Sequence, residues 1–275
     1  MTELVLIDIA GRFADVLDHR LLHRDHHSMR LTAPDQALHE ARRSHPQPPD
    51  VVVVDPEAMT GDVSGLDGAV WFRRWCPESA LVFLVRTDPA GCPSPVVRVA
   101  WETLRPWGAV ARSSPAIVVE AVHRVLRGPE VTVDPVLRPW LGSRDALRPG
   151  RPPLERLVQH GGHVKVWRAL LRFDEPPSYR QVALLTGLSV NTIRSYRQDL
   201  LGPLAAVGLS RPSMGDLFTF ARGVRPLLLD VLRRGPRPRD TRTREAVTNA
   251  TPRETPRATG PTLTGFEPER RPGVV

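Results

Sequence analysis

Apolar residues in the front half of the chain come in short unbroken runs, not in alternation with polar ones. A short second strand is expected over Ser28 to Thr32, and four such runs stand out: LVLID from Leu4 to Asp8, DVVVVDPE from Asp50 to Glu57, ALVFLV from Ala80 to Val85, and GAVAR from Gly108 to Arg112. Each has the length of a strand buried on both faces. Helical stretches are expected between them, over Arg12 to about Leu22 and over Pro34 to Ser44. Strands that alternate with helices predict an α/β class fold, a five-stranded parallel doubly wound sheet. In such sheets the functional crevice lies at the carboxyl ends of the strands, which is where Asp8 and Asp55 would stand.

The pattern changes after Leu141. LGSRDALRPGRPP is rich in Pro, Gly and Arg, as expected of a linker over 142–153. Leu154 to Phe173 then reads as two helical pieces around Gly161-Gly162, the second carrying Val164, Trp167, Leu170 and Leu171 at helical spacing. The stretch from Ser178 to Leu200, SYRQVALLTGLSVNTIRSYRQDL, reads as a helix-turn-helix. Ser178 followed by Gln181 forms a capping-box pattern, and Val182, Leu184 and Leu185 are expected to make a short buried face. Gly187 supplies the positive φ of a sharp turn and Ser189 caps a second helix. Ala183 lets the two helices approach, and Ile193 anchors the second beneath the first. The region 154–234 is therefore expected to be an all-α domain. Residues 235–275 hold few large apolar side chains among many Pro, Thr and Arg, and disorder is expected there.

If the second helix enters a major groove, its first turns meet base edges. Val190, Asn191, Arg194 and Ser195 are the candidates. Asn191 suits adenine, Arg194 suits guanine, and Val190 can touch a thymine methyl. Thr192, Tyr196 and Arg197 are the candidates for phosphate contacts.

Charge sharpens this division. Residues 1–141 hold 15 arginines against 18 Asp and Glu, whereas residues 154–234 hold 12 Arg and Lys against 6 Asp and Glu. The basic excess sits with the helix-turn-helix, so the expected polyanion partner, double-stranded DNA, meets the back half. Only two cysteines, Cys76 and Cys92, occur, with no opening signal segment and no apolar run long enough to span a bilayer. A cytoplasmic protein with no membrane partner is expected. His19, His23, His26 and His27 are interleaved with Arg20 and Arg24, which favours a polar surface over a metal site. Trp71, Trp75, Trp101 and Trp107 are expected in the core or at a dimer surface. No Ser/His/Asp set, metal-hydrolase motif or Gly-rich phosphate loop occurs, so neither catalysis nor a cofactor is expected.

With these residues in view, 4–141 resembles the receiver domain of bacterial response regulators, and PAIVVEAVHRVLRGPEVTVDPVL from Pro115 to Leu137 is similar to that family's last helix and exit. Residues 164–221 resemble the LuxR-type DNA-binding domain of the NarL/FixJ class, with VWRALLRF, SYRQVALLTGLSVNTIRSY and a helix near Met214 to Ala221 matching its four-helix layout. The resemblance implies a phospho-acceptor at Asp55 and a metal-binding carboxylate at Asp8. Against the family pattern, Ile9 replaces the second carboxylate, Val85 the switching hydroxyl and Arg112 the lysine, so Asp8, Asp55 and Arg112 are read as a vestigial pocket holding no metal. Gly202-Pro203 interrupts the usual continuation of the recognition helix, and Arg197 occupies a usually apolar position. The implied function is a sequence-specific transcriptional regulator, not controlled by aspartyl phosphorylation, acting as a homodimer on DNA, with RNA polymerase as a further candidate partner. The alternatives are an orthodox phosphorylated response regulator and a protein-interaction module binding the transcription machinery.

Overall fold

The computed structural model of the protein describes residues 3–7, 20, 28–36, 39, 48–112, 115–128, 131–142 and 153–236. Asp8, Ile9, His19, His23, His26 and His27, most of the helices expected over 12–22 and 34–44, the stretch 143–152 and the tail from 237 lie outside the described residues.

Strands β1 (Glu3–Ile7), β2 (Ser28–Thr32), β3 (Val51–Val54), β6 (Ala80–Val85), β7 (Gly108–Ala111) and β8 (Thr132–Val133) form one sheet in the order β2-β1-β3-β6-β7-β8. Every pairing is parallel. Among the described residues the sheet has six strands, not the expected five. A two-residue strand leaves no hydrophobic run to read, and β8 exists because Thr132 N–H donates to Trp107 O and Asp134 N–H to Ala109 O, both at 2.9 Å. A small hairpin, β4 (Met59–Thr60) with β5 (Val63–Ser64), also went unread, for the same reason.

The two faces of the sheet follow from the period-2 geometry of a strand. Val51, Val53, Val82 and Leu84 pack with Val118 and Val122 of α3 (Pro115–Arg127). Val52, Val54, Phe83 and Val85 face the other way, onto Leu66 of α1 (Gly65–Trp75) and Val97 and Trp101 of α2 (Pro95–Leu104). All four β3 valines are at most 1% exposed. Each such burial contributes about 1.5–3 kcal/mol before entropy is counted, which is why a continuous apolar run and not an alternating one marks the central strand.

A short helix α4 (Arg138–Leu141) ends the front part. The back part is all-helical: α5 (Pro153–Arg156), α6 (Gly161–Leu170), α7 (Tyr179–Thr186), α8 (Val190–Asp199), α9 (Leu201–Ala206), α10 (Met214–Gly223) and α11 (Arg225–Arg234). This exceeds the four-helix layout. Pro203 cannot donate a backbone N–H, and the reader helix stops at Asp199, with Leu200 serving as C-cap of α8 and N-cap of α9. The extra helix α11 begins with a proline in its first turn and ends at Gly235.

One expected buried face is corrected. Val182 is fully buried, but Leu184 is 86% exposed and Leu185 43% exposed. Leu184 falls about 200° round the helix from Val182, so a helix of only eight residues that turns Val182 inward must turn Leu184 out.

The apolar face on α1 and α2 runs on without a break into the helical part. Helix α10 ends against α2, where a Cβ added to Gly223 would lie 2.5 Å from Val96 Cγ2. Arg74 on α1 reaches Asp230 on α11 at 3.3 Å, and Arg98 of α2 lies beside Gly208 in the loop before α10. Among the described residues no helix is long and apolar enough to cross a membrane.

Candidate nucleic-acid interface and strand-end pocket

The helix-turn-helix is built by its caps. Ser178 Oγ accepts from Gln181 N–H while Gln181 Oε1 accepts from Ser178 N–H, the reciprocal capping box read from the sequence. Gly187 adopts φ +69°, and its N–H donates to Ala183 O, closing α7. Ser189 Oγ then accepts from Thr192 N–H at 3.0 Å to open α8, and Ile193, 1% exposed, pins that helix to the core.

This construction aims one face of α8 outward. Asn191, Arg194 and Ser195 are exposed and Val190 is half-buried. The four sit at offsets of zero, one, four and five, a single stripe over the first two turns. The Arg194 guanidinium lies over the Tyr179 ring, 5.6 Å from its centroid, which holds a long side chain near one orientation before any ligand arrives.

The three phosphate candidates are placed differently. Thr192 Oγ1 is hydrogen-bonded to Ser189 Oγ at 2.8 Å as part of the cap. Tyr196 is turned inward: its ring packs edge-on against His160 and His163, and a Cβ at Gly162 would collide with its hydroxyl. Arg197 donates Nε–H to Pro212 O at 2.6 Å, tying α8 to the segment before α10. Hydroxyl and guanidinium chemistry suggested phosphate for all three; the α8 cap, the packing on α6 and the Pro212 carbonyl also give Thr192, Tyr196 and Arg197, respectively, internal duties.

At the carboxyl edge of the sheet, β6 and β7 end together, Val85 opposite Ala111, and β3 ends two residues earlier, Val54 opposite Phe83. That register brings Asp55, Arg86 and Arg112 together. Asp55 is fully buried, and its Oδ2 accepts from Arg86 Nε at 2.9 Å and from Arg112 Nη1 at 3.0 Å. Asp55 Oδ1 accepts from Glu57 N–H at 3.0 Å. The two arginines differ: the Arg112 side chain is 17% exposed and that of Arg86 is 52% exposed. Burial pushes the Glu57 carboxyl above the usual range; a hydrogen bond with Ser94 opposes this, the Asp55 charge adds to it, and Arg86 pulls it back. Val85 is fully buried and offers no hydroxyl toward this edge.

Arg86 was missed in the sequence. The signal was available, since it directly follows a strand whose neighbours end in Asp55 and Arg112, and parallel topology places all three at one edge.

A parallel α/β part with acidic and basic groups at its strand ends is thus followed by an all-helical part that contains a helix-turn-helix. No protein-family model matches the chain and no curated protein matches its sequence. Among solved structures, the fold is similar to RcsB from Salmonella enterica serovar Typhimurium bound to promoter P1flhDC in the presence of phosphomimetic BeF3-, with TM-score 0.51, 13% identity, and coverage of 82% of this chain and 100% of that one. RcsB bound to promoter rprA gives TM-score 0.50 and 14% identity over 82% of this chain and 100% of that one.

Proposed function

We propose that the protein is a sequence-specific DNA-binding transcriptional regulator that is not switched by aspartyl phosphorylation. The observation that carries the DNA reading is the capped helix α8, which presents Asn191, Arg194 and Ser195 exposed on one face beside Val190. Arg194 offers a bidentate donor pair for guanine and Asn191 a donor and an acceptor for adenine. Of the phosphate candidates, Arg197 keeps the unshared part of its guanidinium for a backbone oxygen, and Thr192 and Tyr196 act in support of the helix. The promoter-bound RcsB structures of similar fold agree with this reading.

The internal ion pairs support independence from phosphorylation. The carboxylate that would accept a phosphoryl group has one oxygen occupied by two guanidinium groups and the other by a backbone amide. Incoming phosphate would have to displace them, and Val85 supplies no differential hydrogen bond to reward the change. Asp55 and Arg112 are accordingly read as a vestigial pocket, to which the sequence resemblance alone adds Asp8.

The working units are a receiver-like domain over 1–141, a linker over 142–153, a reader over 154–234 and a tail over 235–275. A homodimer on paired half-sites is proposed, because one small reader covers too few base pairs for useful specificity. A protein contact alongside DNA is favoured by Leu184 and Leu185, exposed on the outer side of α7; RNA polymerase is the candidate.

The test is selection of a binding site from random duplexes, then footprinting and titration at several salt concentrations. Expected are protection of two half-sites, a steep loss of affinity with salt, and no change in affinity or oligomeric state with small phosphodonors and Mg²⁺. Salt-insensitive, sequence-indifferent binding would favour the protein-interaction module. A phosphoryl mass at Asp55 with tighter operator binding would restore the orthodox regulator.

A further inference from the structure

His160 and His163 stand one helical turn apart at the start of α6, and Asp199 closes α8. The two imidazole rings lie 3.8 Å apart and tilted by 34°. One ligand atom from each of the three side chains lies within 4.8 Å of the other two. His163 is 1% exposed, and its Nε2 is buried without a hydrogen-bond partner. A buried ring nitrogen left unpaired is uncommon and calls for a reason.

We propose that His160, His163 and Asp199 form a binding site for a divalent transition metal of the zinc class, joining the N-terminal end of α6 to the C-terminal end of the reader helix. Two imidazole nitrogens and a carboxylate oxygen are a donor set that this class accepts, with water in the fourth position. Asp199 is exposed and His160 half-exposed, which leaves an entry path for the ion.

The protonation state suits ligation. Burial, and then the neighbouring His160, lower the His163 pKa to about 4, with Asp199 opposing, so this ring is neutral near pH 7. Ligation through Nε2 places the ring hydrogen on Nδ1. The amide contacts that Nδ1 now accepts, from Gly162 N at 3.2 Å to His160 and from Gln159 N at 3.4 Å to His163, must then open. Both are long, and the second is at the limit of a hydrogen bond. The donors must also draw closer than they stand, to about 2.0–2.2 Å from a shared ion. Asp199, at an exposed helix end, has the freedom to move. The consequence is mechanical: the ion would fasten α8 at the end opposite its base-reading turns and stiffen its seat on α6.

The experiment uses the full chain, freed of any purification tag and stripped with chelator. Co²⁺ is titrated and followed by its visible absorption, then displaced with Zn²⁺, and Zn²⁺ binding is measured by calorimetry. Expected is one equivalent bound, weakened at least tenfold in H160Q and in D199N. These two substitutions fall on exposed or half-exposed side chains and should leave the far-UV circular dichroism unchanged. The double variant H23Q/H27Q, which removes two of the four histidines of the other histidine-rich stretch, should bind as the unaltered chain does. Absence of stoichiometric binding would overturn the proposal, as would binding that survives H160Q and D199N but is lost in H23Q/H27Q.

Discussion

Replacing Asp55 tests the strand-end pocket directly. In the protein this carboxylate is fully buried and held by Arg112 at 3.0 Å and Arg86 at 2.9 Å. Removing one partner of a buried ion pair typically costs ~3–5 kcal/mol, because the remaining charge has lost its counter-ion. Arg86 is half-exposed and returns to water at little cost, and Arg112 keeps some solvent contact, so Asp55→Ala should destabilise by ~2–3 kcal/mol. Asp55→Asn retains an acceptor for Glu57 N–H and should cost ~1–2 kcal/mol. The two arginines should separate in double-mutant cycles. Coupling of Asp55 to Arg112 should be ~1–3 kcal/mol, and coupling to Arg86 below ~1 kcal/mol, as for a solvent-screened pair. Urea unfolding followed by tryptophan fluorescence gives both numbers. At concentrations where the variants remain folded, DNA affinity should match the parent. Single substitutions that are neutral within ~0.5 kcal/mol, or zero coupling to Arg112, would refute the idea that internal ion pairs have replaced phosphoryl chemistry here.

Three further outcomes are expected. Asn191→Ala and Arg194→Ala should each weaken specific DNA binding by ~1–3 kcal/mol and relax preference at one base position, read by titration against single-base variants of a selected site. In chelator-treated protein, stability should fall as pH drops from 6.5 to about 4, because the unfolded chain protonates His163 first while the folded pKa is near 4; it is fully present above 6.5. The bound on that loss is about 3 kcal/mol, roughly halved by solvent screening through half-exposed His160, and chemical denaturation at several pH values, compared with His163→Phe, would measure it. Gly65→Ala should destabilise by more than ~3 kcal/mol, since the new Cβ would collide with the backbone carbonyl of Asp55, which cannot rotate away as a side chain could; thermal unfolding would detect it.

Much of the molecule was legible in its sequence because the signals are local. Unbroken apolar runs specify strands, so β1, β3, β6 and β7 fall where Leu4, Val51, Ala80 and Gly108 placed them, and the short β2 begins at Ser28 as expected. The reader's frame was equally readable: Ser178, Gln181, Gly187 and Ser189 satisfy backbone groups within three or four residues of themselves, so no distant partner is needed to define the turn. Tertiary structure decided what depends on partners far away in the chain. Leu184 looked like core until the packing of a two-turn helix on α6 and α8 turned it outward. Tyr196 and Arg197 gain internal partners that no local pattern announces, His160, His163 and Gly162 for the one and Pro212 for the other. Arg86 follows a legible strand, but its partner is fixed only once parallel register sets that strand end beside Asp55. Local hydrogen-bond demand is written within a few residues; the neighbours of a charged or amphipathic side chain are set by contacts dozens of residues apart.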